Sequence, residues 1–178
     1  NGPRGPIGEW DVSRVTGMSR MFSYATSFDG DISKWDVSSV KDMSSMFLSA
    51  RSFARDISKW DVSSVSSMIA MFRWAASFKA DISRWDVSSV TNMDYMFWDA
   101  KLFKRKLCGA AWVHSKAKRT AMFAGSSGSI PETACTATPV FSPESKAELK
   151  SALSLYLKLS AKGDSADGPN GPIGEWDV

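Results

Sequence analysis

The sequence predicts an α/β repeat solenoid: a stack of 25-residue coils with a parallel sheet, closed by a degenerate coil and followed by a helix. Three observations carry that expectation. Trp10, Trp35, Trp60 and Trp85 recur at one constant spacing, without a slip. Val, Met-Phe, Ala and Phe positions recur in register around them, as at Val37, Met46, Phe47, Ala50 and Phe53. Residues 2–12, GPRGPIGEWDV, return as GPNGPIGEWDV at 168–178, so a second and longer period overlies the first. A fixed short period marks units too small to close a core alone, which bury their apolar faces on their neighbours. The longer period implies a parent chain of tandem modules.

Bulk composition leaves this open and excludes little else. The chain of 178 residues is 43% hydrophobic and 23% charged, the balance of a folded soluble protein. A net charge of +3 with no Lys/Arg cluster gives no nucleic-acid track. No apolar run is long enough to span a bilayer. The sequence has no Asn-x-Ser/Thr acceptor site, so N-glycosylation is not expected.

Residues 1–9 carry turn chemistry in Gly2, Pro3, Gly5, Pro6 and Gly8. In each unit, ISKWDVSSV spaces Ile32, Trp35, Val37 and Val40 as in the strand segment of leucine-rich repeats. Alternation about Trp35 and Val37 sends Lys34, Asp36 and Ser38 to the other face. Met43 to Phe53 then space their apolar residues at three and four, which predicts a short helix or 3-10 stretch. Stacked strands rise about 4.8 Å per coil, so Trp10, Trp35, Trp60 and Trp85 form an interior ladder. The solenoid is assigned to residues 1–124, its last coil a damaged unit traced through Trp112, Met122 and Phe123.

Cys108 opens that last unit and Cys135 follows the turn AGSSGSI. A bridge between them would tie the closing loop across the stack end, worth roughly 3 kcal/mol. The other reading is two unrelated buried thiols; the position favours the bridge. The Ser/Thr/Pro-rich closing loop, 125–142, could carry O-linked glycans. A junction helix follows over 143–162, with Ser142 as cap, Pro143 in the first turn and Gly163 at the far end. Its leucines face more than one way, which suits burial at a junction better than a membrane surface. Residues 163–178 begin the next module.

The phrase WDVSxVxxMxxMFxxAxxFxxDIS[KR] resembles the BspA-like leucine-rich-repeat surface proteins over residues 7–107, and LCGAAWVHSKAKRTAMFAGSSGSI resembles a closing segment of that group. The resemblance implies an extracellular or cell-surface location and a role in adhesion or surface structure. It brings no catalytic residues, cofactor or metal. The residues agree: His114 is the lone histidine and has no second ligand at metal spacing, and GSSGS at 125–129 lacks the glycine a nucleophile elbow needs. An enzyme is not expected.

Two surfaces are candidates for contact. On the strand face, Lys34, Lys59 and Arg84 form one column and Asp36, Asp61 and Asp86 the next. This is either a self-neutralising solvated lattice or a template for a polysaccharide or a neighbouring fibre. On the far side, Trp74 and Trp98 are exposed contacts or outer packing over the core. The expected function is a structural module of a long extracellular fibre or surface layer, its partners neighbouring copies of the same module. The alternative is an adhesin binding glycan or protein through either surface. Polysaccharide is the expected small partner; nucleic acid is not expected, nor is a membrane span.

Overall fold

A computed structural model of the chain describes residues 5–135, 149–151 and 153. The chain divides into two compact units, Asn1–Ala134 and Cys135–Val178. In the first, five successive coils lie on one another, beginning near Ile7, Ile32, Ile57, Ile82 and Leu107. Of the expected junction helix, 149–151 and 153 are described and are helical. The rest of it, most of the closing loop and the start of the next module lie outside the described residues.

The expected strand-and-helix solenoid is not what forms. Among the described residues there is no β-strand, only isolated parallel bridges: Gly17 with Asp42, Asp42 with Ser67, Ser67 with Asn92, Asn92 with Lys118, and Lys106 with Ser129. In the first unit, regular helix is confined to a 3-10 turn, Ile7–Glu9, and one short helix, α1, Ala110–Val113. The coils are built from turns.

The WDVSSV segment shows why no parallel sheet forms there. Asp31 accepts the Ser33 N–H at 3.0 Å, and Asp36 accepts the Ser38 N–H at 3.1 Å and its hydroxyl at 2.6 Å. An Asp whose carboxylate takes the N–H two residues on draws the backbone into a turn and competes with extended pairing. Tight turns follow directly, with Trp35 N–H donating to Ile32 O at 3.1 Å and Val40 N–H to Val37 O at 2.9 Å. Trp35 and Val37 are still buried and Lys34 and Asp36 exposed. The alternation therefore sets sidedness without extended backbone.

The Met-Phe segment is not a helix either. Ser45 and Ser49 stand at φ 56° and 58°, and the same two positions of the other regular coils are also left-handed. That conformation cannot propagate in an L-residue helix. Hydrogen bonds alternate instead. The N–H groups of Met43, Ser45, Phe47 and Ser49 donate to Ser67, Ile69, Met71 and Arg73 of the next coil at 3.0, 2.7, 2.9 and 2.8 Å. Those of Met46, Leu48 and Ala50 return three residues back to Met43, Ser45 and Phe47 at 3.2, 3.1 and 3.0 Å. Each donor is satisfied, half within the coil and half between coils, so burial costs no unpaired amide.

One core runs through all five coils. Phe22, Phe47, Phe72, Phe97 and Phe123 stack with centroids 5.5, 5.5, 5.7 and 5.5 Å apart and planes within 9° of parallel. Phe53, Phe78 and Phe103 each stack at about 4 Å on the Phe six residues earlier. The buried indoles add a directional link. Trp35, Trp60, Trp85 and Trp112 donate their ring N–H to the carbonyls of Ile7, Ile32, Ile57 and Ile82 at 2.9, 3.2, 3.2 and 3.0 Å. An indole in a core needs such a partner, and here the preceding coil supplies it. Trp10 departs from the expected ladder: in the first coil it is 43% exposed.

Candidate functional site

The charged columns sit on the turn side. Asp36, Asp61 and Asp86 are exposed, and each is held below the ordinary carboxylate range by the hydroxyl and then the N–H of Ser38, Ser63 or Ser88. For Asp36 the flanking Asp61 and Asp11 oppose that shift. The self-neutralising lattice is not observed. The ion pairs among the described residues are Lys34–Glu9, Arg55–Asp29 and Lys101–Asp99, and none joins the Lys34, Lys59, Arg84 column to the aspartates beside it. Lys34 instead reaches Glu9 at 3.4 Å, with both side chains mostly in water, where such a pair contributes little. The aspartates therefore serve the fold.

The opposite side is more concentrated. Tyr24, Ser49, Trp74 and Asp99 occupy one left-handed column, at φ 59°, 58°, 59° and 54°, and Gly125 continues it at 73°. Tyr24, Ser49, Trp74 and Asp99, with Arg51, Ala76 and Lys101, line a cleft of about 450 Å³. Tyr24 is 65% exposed and Trp74 37%. Beside it the Arg73 guanidinium lies 4.1 Å from the Trp74 ring centroid, 4.9 Å from Trp98 and 5.7 Å from Tyr95. Arg73 Nε is buried without a hydrogen-bond partner. Three aromatic faces around the cation compensate for that loss through their quadrupoles.

Asp99 ties the cleft together. Its carboxyl is held below its ordinary range first by Lys101, with smaller help from the indole N–H groups of Trp74 and Trp98. At Gly125 a side chain would run into the Asp99 carboxylate, so the fifth coil needs glycine for space as well as for φ. The two tryptophans named from sequence separate here: Trp74 faces the cleft, while Trp98 is half-buried beside Arg73.

Sequence reasoning places Asp99 with Tyr24, Ser49 and Trp74 in one variable column and Arg73 with Trp98 in its neighbour, but gives Asp99 and Arg73 no role and misses Tyr95, Lys101 and Arg51. One signal was present: a column reading Tyr, Ser, Trp, Asp, Gly contains two residue types suited to positive φ, Asp and Gly. His114 is exposed just after α1, and among the described residues no cluster of His, Cys, Asp and Glu could hold a metal. Cys108 and Cys135, the chain's only cysteines, are both disulfide-bonded. No helix among the described residues is long and apolar enough to cross a membrane.

Coils sharing one core, with a lined cleft on their variable side, define a repeat-array protein. A family model described as "Mycoplasma protein of unknown function, DUF285" matches residues 3–112. That is more than half the chain, and the chain belongs to this family. Comparison with curated proteins and with solved structures gives no match.

Proposed function

We propose that the chain is a structural module of a long extracellular fibre or surface layer, in which modules of the span from Gly2 to Gly168 follow one another head to tail. The observation that carries this reading is the return of residues 2–12 at 168–178. The core supports it, because no coil closes alone and cohesion runs along the stack. The disulfide-bonded cysteines favour an oxidising compartment outside the cell. The BspA-like resemblance belongs to the same reading. Electron microscopy of the parent assembly tests it: elongated particles with an axial repeat of one module are expected, and compact globular monomers would overturn it.

A second reading, an adhesin binding glycan or protein, is favoured by the cleft around Trp74. An exposed indole beside Arg51 and the Lys101–Asp99 pair offers an apolar platform with polar groups at its margin, the arrangement that recognises a sugar ring. Glycan-array binding should be lost in Trp74→Ala and kept when Lys34, Lys59 and Arg84 are changed together to Ser. The opposite pattern would move the contact to the charged columns.

A further inference from the structure

Four hydrogen bonds of the Met-Phe segment run one way along the stack, and that row leaves two unlike ends. At four positions of that segment the earlier coil donates and the later one accepts in every pair of neighbouring coils. Elsewhere the direction reverses, as where Lys41 and Ser52 N–H donate back to Thr16 and Thr26 O. Met18, Arg20, Phe22 and Tyr24 of the first coil donate to Asp42, Ser44, Met46 and Leu48 of the second at 2.8, 3.0, 2.9 and 2.7 Å. Met93, Tyr95, Phe97 and Asp99 of the fourth donate to Lys118, Thr120, Met122 and Ala124 of the fifth at 2.8, 2.9, 2.8 and 2.7 Å. At the first coil the equivalent acceptors, the carbonyls of Gly17, Ser19, Met21 and Ser23, receive no bond among the described residues. At the fifth, the N–H groups of Arg119, Ala121, Phe123 and Gly125 donate none among the described residues. One end is a row of four acceptors, the other a row of four donors in the same register.

Side chains show the same interruption. Met21 is 44% exposed, whereas Met46, Met71 and Met96 at the same position in the inner coils are fully buried. Phe22 and Phe123 are half-buried, while Phe47, Phe72 and Phe97 between them are fully buried. An unpaired backbone row beside apolar side chains is a template for another chain to add to. Two acceptor rows cannot pair, nor can two donor rows, so a self-complementary face-to-face dimer is ruled out for this edge. What fits the first coil is the fifth coil of another copy, with Phe123 over Phe22 continuing the ring stack.

We propose that these two ends are the halves of one head-to-tail interface, and that the partner is a second copy of this chain's coil stack. The inference rests on the tandem-module reading and names the surfaces through which modules meet. Such a contact is heterologous and does not close, so it yields linear assemblies.

Sedimentation velocity of the full chain over a concentration series tests it, using wild type, Met21→Asp, Ala121→Asp and an equimolar mixture of the two variants. Aspartate tolerates the left-handed backbone at position 121. Wild type should form an open series of oligomers, each variant alone should stay monomeric, and the mixture should stop at a one-to-one dimer. A wild type that is monomeric throughout, a variant that associates like wild type, or a mixture that stays monomeric would each overturn the interface. Ser19→Asp and Ala124→Asp, both at exposed positions, replace either variant that fails to show a native circular dichroism melt. A monomeric chain whose parent still images with a one-module repeat would sink this interface alone; globular parent particles would sink the tandem reading itself.

Discussion

Replacing Phe72 by alanine removes the central ring of the stack. The ring is fully buried and lies 5.5 Å from Phe47, 5.7 Å from Phe97 and 3.8 Å from Phe78. Phe→Ala in a close-packed core costs about 3–5 kcal/mol, from lost burial and the cavity left behind. Aromatic pairing adds about 0.5–1.5 kcal/mol per pair, though the pairs share one ring and do not add fully. The site cannot collapse easily, because coils on both sides are held at their spacing by backbone bonds. A loss of about 5 kcal/mol is expected. Phe22→Ala supplies the control: the same residue type in the first coil, half-buried, with Phe28 at 4.0 Å but a neighbouring Phe of the row on one side only. It should cost about half as much. Urea denaturation followed by tryptophan fluorescence measures both. Equal losses at the two positions, or a loss under about 2 kcal/mol at Phe72, would show that the coils do not share one core.

Ala121, exposed at φ 47°, should become more stable as glycine, by about 1 kcal/mol, since the left-handed strain of a β-carbon outweighs the added unfolded-state entropy; an unchanged or lower melting temperature would refute this. Stability should fall on acidification. Asp36, Asp61 and Asp86 have carboxyls depressed below their ordinary 3.8, so their contribution is whole above that value and is lost as pH drops through the lower folded one. Asp61→Asn should flatten that slope in a pH series of thermal melts, and an unaltered slope would count against it. Reduction of the disulfide should lower stability by roughly 3 kcal/mol, read as a shift in denaturation midpoint with and without a thiol reductant.

The core was legible in the sequence because burial depends on side-chain identity at fixed spacing. Trp35, Val37, Met46, Phe47 and Phe53 recur in register from coil to coil and are all buried. Backbone shape was not legible by the same route. The ISKWDVSSV spacing matches a strand template, yet the Asp-x-Ser steps within it make turns, and a residue at position two of such a step has no propensity that reveals the competition. Met43 to Phe53 match a helical period because three- and four-residue spacing also arises when turns alternate with inter-coil bonds. Trp10 shows a further limit. Its sequence position equals that of Trp35, but burial in an array depends on neighbours, and the first coil has a neighbour on one side.

The cleft was least legible for a reason that bears on its role. The Trp, Val, Met and Phe positions of the core repeat the same residue in each regular coil, whereas the left-handed column runs Tyr24, Ser49, Trp74, Asp99 and Gly125. That column is strained at every non-glycine member, at about 1–2 kcal/mol each. The strain is tolerated because the N–H of each non-glycine member is anchored to the following coil, at 2.7, 2.8, 2.8 and 2.7 Å for Tyr24, Ser49, Trp74 and Asp99. The backbone is thus fixed by inter-coil bonds, whatever side chain it carries. At the four non-glycine members the side chains are a phenol, a hydroxyl, an indole and a carboxylate, which line one cleft with Arg51 and Lys101. A repeat that needed only to stack could place glycine in every coil of this column, as it does at Gly125. Four coils do otherwise, and their side chains converge.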